Sequence, residues 1–308
     1  MNTQSGVTPD SPLHSQGVVR VSESSPFYWS VCRELWEFRS IYIAPLAGAA
    51  VMLLGFTFVL FHLPYTMRTL SSLDPARQRQ VLAHPYDLTA GMIMAAAFLV
   101  SIFYSLDALY SERRERSILF WKSLPVSDLT TVLAKATIPL LVLPLLAFAV
   151  TLVTQTIMLL LSTMVLFANG LSVTPLWTQL GLYDTLAGLL YHLVTAHMLW
   201  YAPFYAWMLL VSAWARRAPF LWAFFPPLAM GVFEKIAFHS SHFAELLTNR
   251  LSGTDDKMSS MMGDMPFHPG MHFRFFAFLF SPGLWLGLAV AAAFLAAAVR
   301  VRRNQGPI

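Results

Sequence analysis

The sequence predicts an all-α integral membrane protein with six transmembrane helices, and three observations predict it. Of 308 residues, 56% are hydrophobic and only 12% charged, too little charge to cover a soluble domain of this size. The mean hydropathy is +0.58. Apolar stretches of about 20 residues, the length that crosses a bilayer, recur along the chain at 41–63, 88–110, 129–167, 185–214, 219–237 and 276–299. Together with their connections they make a transmembrane domain over 41–303.

Residues 1–26 are polar, rich in Ser, Gln and Pro, and lack an apolar core. They read as a disordered cytoplasmic tail rather than a cleavable signal. Residues 27–40 follow as an interfacial amphipathic helix. At 100° per residue, Tyr28, Val31, Leu35 and Phe38 form an apolar stripe flanked by Trp29, Cys32 and Trp36. Arg33, Glu34 and Glu37 fall on the opposite, polar face, and Arg39 closes the segment. Two tryptophans and mixed charge suit a helix lying in the headgroup layer.

The third span is longer than a bilayer requires, with Pro139 and Pro144 as expected kink points. Between the fifth and sixth spans, residues 238–274 form the longest connection. It carries two moderately apolar pieces, 242–251 and 258–273, too short to cross alone and suited to re-entrant segments. The short C-terminal end is 304–308.

Lysine and arginine bias sets the orientation. With the N-terminus inside, thirteen basic residues fall on the inner side, among them Arg113, Arg114, Arg116, Arg216, Arg217, Arg300, Arg302 and Arg303. Seven fall outside, mostly in longer loops. Both termini are therefore expected in the cytoplasm of a multi-pass inner-membrane protein. The net charge of +4 belongs to these flanks and does not call for nucleic acid. The single Cys32 excludes an intramolecular disulfide framework and cysteine-based zinc sites.

The segment between spans two and three carries the strongest functional signal. The charges Glu112, Arg113, Arg114, Glu115 and Arg116 lead into Ile118, Leu119, Phe120 and Trp121, then Lys122, Leu124 and Pro125. Bulky apolar residues rimmed by charge in a water-facing loop mark a binding surface. Leu124–Pro125 ends a short helix, and Ser127 or Asp128 is placed to cap the next one. By periodicity alone, an interfacial helix with snorkelling arginines explains the segment equally well.

The run from Glu115 to Asp128 resembles the cytoplasmic loop of bacterial ABC-2 family permeases. The Arg-Glu-Leu-x-Glu-x-Arg-Ser element from Arg33 to Ser40 matches as well. That resemblance covers nearly the whole chain after the tail. It implies a coupling helix formed by Glu115, Arg116, Ile118, Leu119, Phe120, Trp121, Lys122, Leu124 and Pro125, docking on a cytoplasmic ATPase subunit. It also implies a second permease copy or homologue, a substrate path at the permease seam, and re-entrant segments gating the exit. No phosphate-binding Gly-x-x-x-x-Gly-Lys loop is present. ATP and Mg2+ would therefore sit on the partner, leaving this chain without a cofactor of its own.

Polar residues at depth are costly and so are default candidates. These are Asp107, Gln155, His192 and His197. His192 and His197, five apart, do not share one α-helical face. Met258, Met261, Met262, Met265 and Met271, with His268 and His272, form a soft-ligand set compatible with Cu(I), although methionine is also an adaptable apolar filler. No nucleophile with a nearby base and no Gly-x-Ser-x-Gly or His-Glu-x-x-His pattern appears, so catalysis is not expected. The leading expectation is an ATP-driven exporter permease for an apolar or amphipathic substrate. Its rivals are a membrane anchor that recruits a soluble partner, a copper-related exporter, and a secondary transporter; this last is weakened by the lack of paired intramembrane charges.

Overall fold

The computed structural model describes residues 25–70, 74–123, 126–180, 182–251 and 278–304. Every regular element among them is helical. α1 (Ser25–Glu37) precedes α2 (Ser40–Leu70), and α3 (Pro75–Asp107) runs back beside it. Two turn residues separate α3 from α4 (Tyr110–Arg114), which leads to α5 (Ile118–Ser123) and α6 (Asp128–Thr137). A π-helical stretch, Ile138–Val142, joins α6 to α7 (Leu143–Ala168). After α8 (Thr174–Leu180) come α9 (Leu182–His192), a second π-helical stretch (Leu193–Trp200) and α10 (Ala202–Trp214). α11 (Pro219–Phe238), α12 (His242–Leu251) and α13 (Pro282–Asn304) complete the order.

Among the described residues five helices are long and apolar enough to cross a membrane: Ser40–Leu70, Pro75–Arg114, Asp128–Ala168, Pro219–Phe238 and Pro282–Asn304. A sixth candidate is a pair, Leu186–Trp200 and Ala202–Trp214, bent by 44° at Tyr201. The bend has a local cause, because Pro203 has no N–H to return to Leu199 and the first turn of α10 restarts the ladder. The expected continuous helix over 185–214 is thus a bent pair.

Pro139 acts in the same way in the third span. It removes one i→i−4 bond, and the chain widens until the Leu143 N–H reaches the Ile138 carbonyl, five residues back. The expected kink at Pro139 is therefore a π-helical turn, and Pro144 sits in the first turn of the regular helix that follows.

α2, α3 and α7 pack as one group, α10 packs along α13, and α3 bridges the two. Ile41, Ile93, Ala97, Ile138, Leu143, Leu193 and Leu209 lie in the shared core. A second core around Phe56, Leu82, Met158 and Leu166 fills the opposite end of the α2–α3–α7 group. α11 stands apart: it is apolar all round, and only Ala223 is buried. Such a helix belongs in lipid or against another membrane protein.

Candidate functional site

A buried cluster of charges lies where α1, α4, α6 and the end of α13 meet. Its centre is Lys135, only 1% exposed, whose Nζ reaches Glu34 Oε1 at 2.9 Å, Glu34 Oε2 at 3.0 Å and Glu112 Oε1 at 3.1 Å. Arg33 pairs with Glu34 and donates from Nη2 to Glu112 Oε1 at 3.1 Å. Arg302 pairs with Glu112 and, through Nε, with Asp128 Oδ1 at 3.1 Å. From α3, the Tyr104 hydroxyl donates to Glu34 Oε2 at 2.8 Å. Three bases thus meet three acids in the cluster, and Glu37 joins at its exposed edge, 3.7 Å from Arg33 Nε.

Charges are withdrawn from water at this density only when each is paired and hydrogen-bonded. Burial alone would raise the Glu34 carboxyl, but Lys135 and Arg33 outweigh it and hold that group below the usual carboxylate range. Glu37, one turn on, shifts the other way, because partial burial and the neighbouring Glu34 charge outweigh Lys135 and Arg33.

The segment expected to carry the apolar binding surface is mounted on this cluster. Arg116, with φ of 60°, makes the left-handed corner between α4 and α5. At that corner Ile118 turns inward and is 1% exposed, whereas Leu119 and Phe120 are 59% and 60% exposed. The Arg33 guanidinium stacks on the Trp121 ring at 3.9 Å. The expected patch of four apolar residues is therefore a patch of two, with Ile118 as anchor and Trp121 as the joint to α1. Lys122 reaches the Arg303 carbonyl at 3.5 Å, and Glu115 is exposed and pairs with Arg114 at 3.3 Å. Leu124 and Pro125 lie outside the described residues.

The break between α3 and α4 is also built in. Ser212 Oγ accepts from the N–H groups of Leu109 and Tyr110, both at 2.9 Å. Arg113 Nη1 donates to the carbonyls of Ala213 at 2.5 Å and Ala215 at 3.1 Å, closing the C-terminus of α10. Ser127 caps α6 through the Thr130 N–H at 3.0 Å. That leaves Asp128 for Arg302.

α1 departs from expectation in one respect. Glu34, placed by periodicity on the water-facing side, is its most buried residue at 0% exposure, and the protein interior supplies its partners. Val31, Leu35 and Phe38 pack half-buried on the core, while Trp29 and Trp36 are bare at 58% and 70%. Arg39 is exposed beyond the helix end. The periodicity separates apolar from polar correctly but cannot show that the polar face is itself inside.

The polar residues at depth are scattered. Asp107 is half-buried at the end of α3 and forms no ion pair among the described residues. Gln155 is fully buried and donates from Nε2 to the Tyr86 carbonyl at 3.2 Å. His192 and His197 do meet, with ring centroids 5.9 Å apart. The wider turn of the π-helical stretch brings positions five apart to one side, which an α-helix would not do. Met258, Met261, Met262, Met265, His268, Met271 and His272 lie outside the described residues. Among the described residues no three His, Cys, Asp or Glu side chains are grouped to hold a metal ion.

At the other end of the molecule, α12 is fastened at both termini. Glu234 of α11 accepts from the N–H groups of His242 at 3.0 Å and Phe243 at 2.8 Å. Arg250 donates to the carbonyls of Trp200 at 3.0 Å and Gly283 at 2.8 Å, and its guanidinium lies 4.0 Å over the Trp200 ring. Gly287 makes the room, since a Cβ there would stand 1.7 Å from Arg250 Nη2.

No protein-family profile, curated protein or solved structure matches this chain.

Proposed function

We propose that this chain is the membrane-spanning subunit of an ATP-driven exporter of the ABC-2 kind, with α5 as the element that a cytoplasmic ATPase pushes. The observation that carries the reading is the mounting of α5. Leu119 and Phe120 project outward, while Ile118, Trp121 and the charge cluster tie their backbone to α1, α6 and α13. A force on that exposed pair would be delivered to several membrane helices at once. A flexible loop would absorb it.

In this reading the broken helix through Tyr201 completes six spans, both termini are cytoplasmic, and a second permease copy packs against this one. The substrate would be apolar or amphipathic, in keeping with the scarcity of charge in the spans.

The test is to purify the full chain in a mild detergent, identify what accompanies it, and compare Leu119→Ala/Phe120→Ala with the parent. The expected result is a stoichiometric ATPase that is lost, or uncoupled from transport, in the double variant while insertion and folding are intact. An ATPase that stays bound and coupled in that variant would sink the role of α5. A soluble partner without ATPase activity, held by the same two residues, would instead establish an anchor.

A further inference from the structure

Between the far halves of α2 and α3 lies a half-open cleft of about 400 Å3, floored by α7 and α8. Its walls are Phe56, Val59 and Leu63 of α2, Leu82 of α3 and Leu176 of α8. No ionised side chain lines it. The two hydroxyls at its floor, Tyr86 Oη and Ser162 Oγ, lie 3.3 Å apart and are closed on each other. A mainly apolar cavity of roughly 300–1,000 Å3 with a few placed polar groups is the usual form of a small-ligand site.

The cleft's position along the helices names its occupant. At about 1.5 Å per residue, Thr66 lies about 6 Å and Phe56 about 21 Å from the end of α2 at Leu70. Since the apolar span of α2 is expected to end near residue 63, the cleft runs from about 5 Å outside that end at Thr66 to about 10 Å inside it at Phe56, along the direction of a lipid chain. Its polar rim is Thr66 and His62, whose Nδ1 bonds the Phe58 carbonyl at 3.0 Å, so that in the neutral ring Nε2 is an acceptor. The flank beside it is bare and apolar, with Phe58, Phe61 and Tyr65 at 70%, 79% and 73% exposure. A ligand can enter sideways from the bilayer without crossing water.

We propose that this cleft is a specific binding site for one acyl chain of a phospholipid, with the chain along Phe56, Val59 and Leu63 and its donor-bearing headgroup beside His62. The site is independent of the exporter reading and needs only that these helices span a membrane.

The experiment uses the full chain in vesicles of phosphatidylethanolamine and phosphatidylglycerol, containing a phosphatidylethanolamine with a diazirine on its acyl chain. After illumination, crosslinks are mapped by mass spectrometry. Labelling is expected to concentrate at 56–66 and 81–86, several-fold above α11, whose exposed apolar surface is the reference. Leu63→Trp should fill the cleft and abolish the excess while leaving the α11 labelling unchanged. Val59→Phe provides the same fill from the neighbouring turn should Leu63→Trp fail to fold. Labelling of α2 and α3 no stronger than that of α11, or an excess that survives a folded cleft-filling variant, would overturn the site.

Discussion

At the scale of single residues the molecule depends on Lys135, which holds two buried glutamates at once. Removing one partner from a buried ion pair leaves an uncompensated charge and costs about 3–5 kcal/mol. Lys135→Met is therefore expected to lower the melting temperature of the purified protein sharply. Arg114→Ala, which removes an exposed pair worth at most about 1 kcal/mol, should leave it nearly unchanged; equal effects would refute the cluster's structural weight. Acidity gives a second reading of the same residues. The Glu34 carboxyl is depressed in the folded state. Its contribution is therefore complete above the ordinary glutamate value of 4.5 and fades as pH falls through its lower folded value. Thermal melts of the parent and Glu34→Gln at a series of pH values should differ most near neutrality and converge in acid. Little of this is legible in the sequence, because Lys135 and Arg302 count there only among the thirteen basic residues of the inner side. Their partners lie 101 and 190 residues away, and no periodicity reports so distant a pairing.

At the scale of elements, the sequence placed most helices well, and α12 matches the expected apolar piece at 242–251. What it missed were environments. α1 was recognised from its stripe, yet which side faced water depended on where α6 and α13 arrived. The two histidines were judged with α-helical geometry, and a π-helical stretch changed their relation. The α1–α5 joint makes a definite claim: Arg33→Lys keeps the charge but loses the planar stack on Trp121. It is expected to loosen α5, seen as faster hydrogen exchange over 115–123, whereas Arg39→Lys should not. At the opposite end, Gly287→Ala must displace the Arg250 guanidinium from its two carbonyls. Faster trypsin cleavage after Arg250 is expected in that variant. Gly91→Ala, at a position with open space around the new methyl, should match the parent.

At the scale of the whole molecule, composition and hydropathy anticipate the five long apolar helices among the described residues, because such a helix advertises itself along the chain regardless of its neighbours. The break at Tyr201 was hidden, since Pro203 sits inside an otherwise continuous apolar run. Orientation remains a prediction from the basic residues. In a Cys32→Ser background, single cysteines at Leu119 and Asn304 should react with an impermeant maleimide only from the cytoplasmic side. A cysteine at Trp177 should react only from the other. Labelling of Leu119 and Asn304 from opposite faces would contradict both the orientation and the meeting of α5 with α13.

The charge cluster also sets an order of assembly. Glu34 and Glu112 emerge early in synthesis, whereas Arg302 arrives in the last turn of the final described helix. Until that helix is threaded into place, Glu112 lacks one of its three cations and Asp128 has none of its own. Without α13 in place, these two acids are each short of a cation. Arg302 is the keystone of the cluster: the packing of α13 beside α6 and the completion of both acids are a single event.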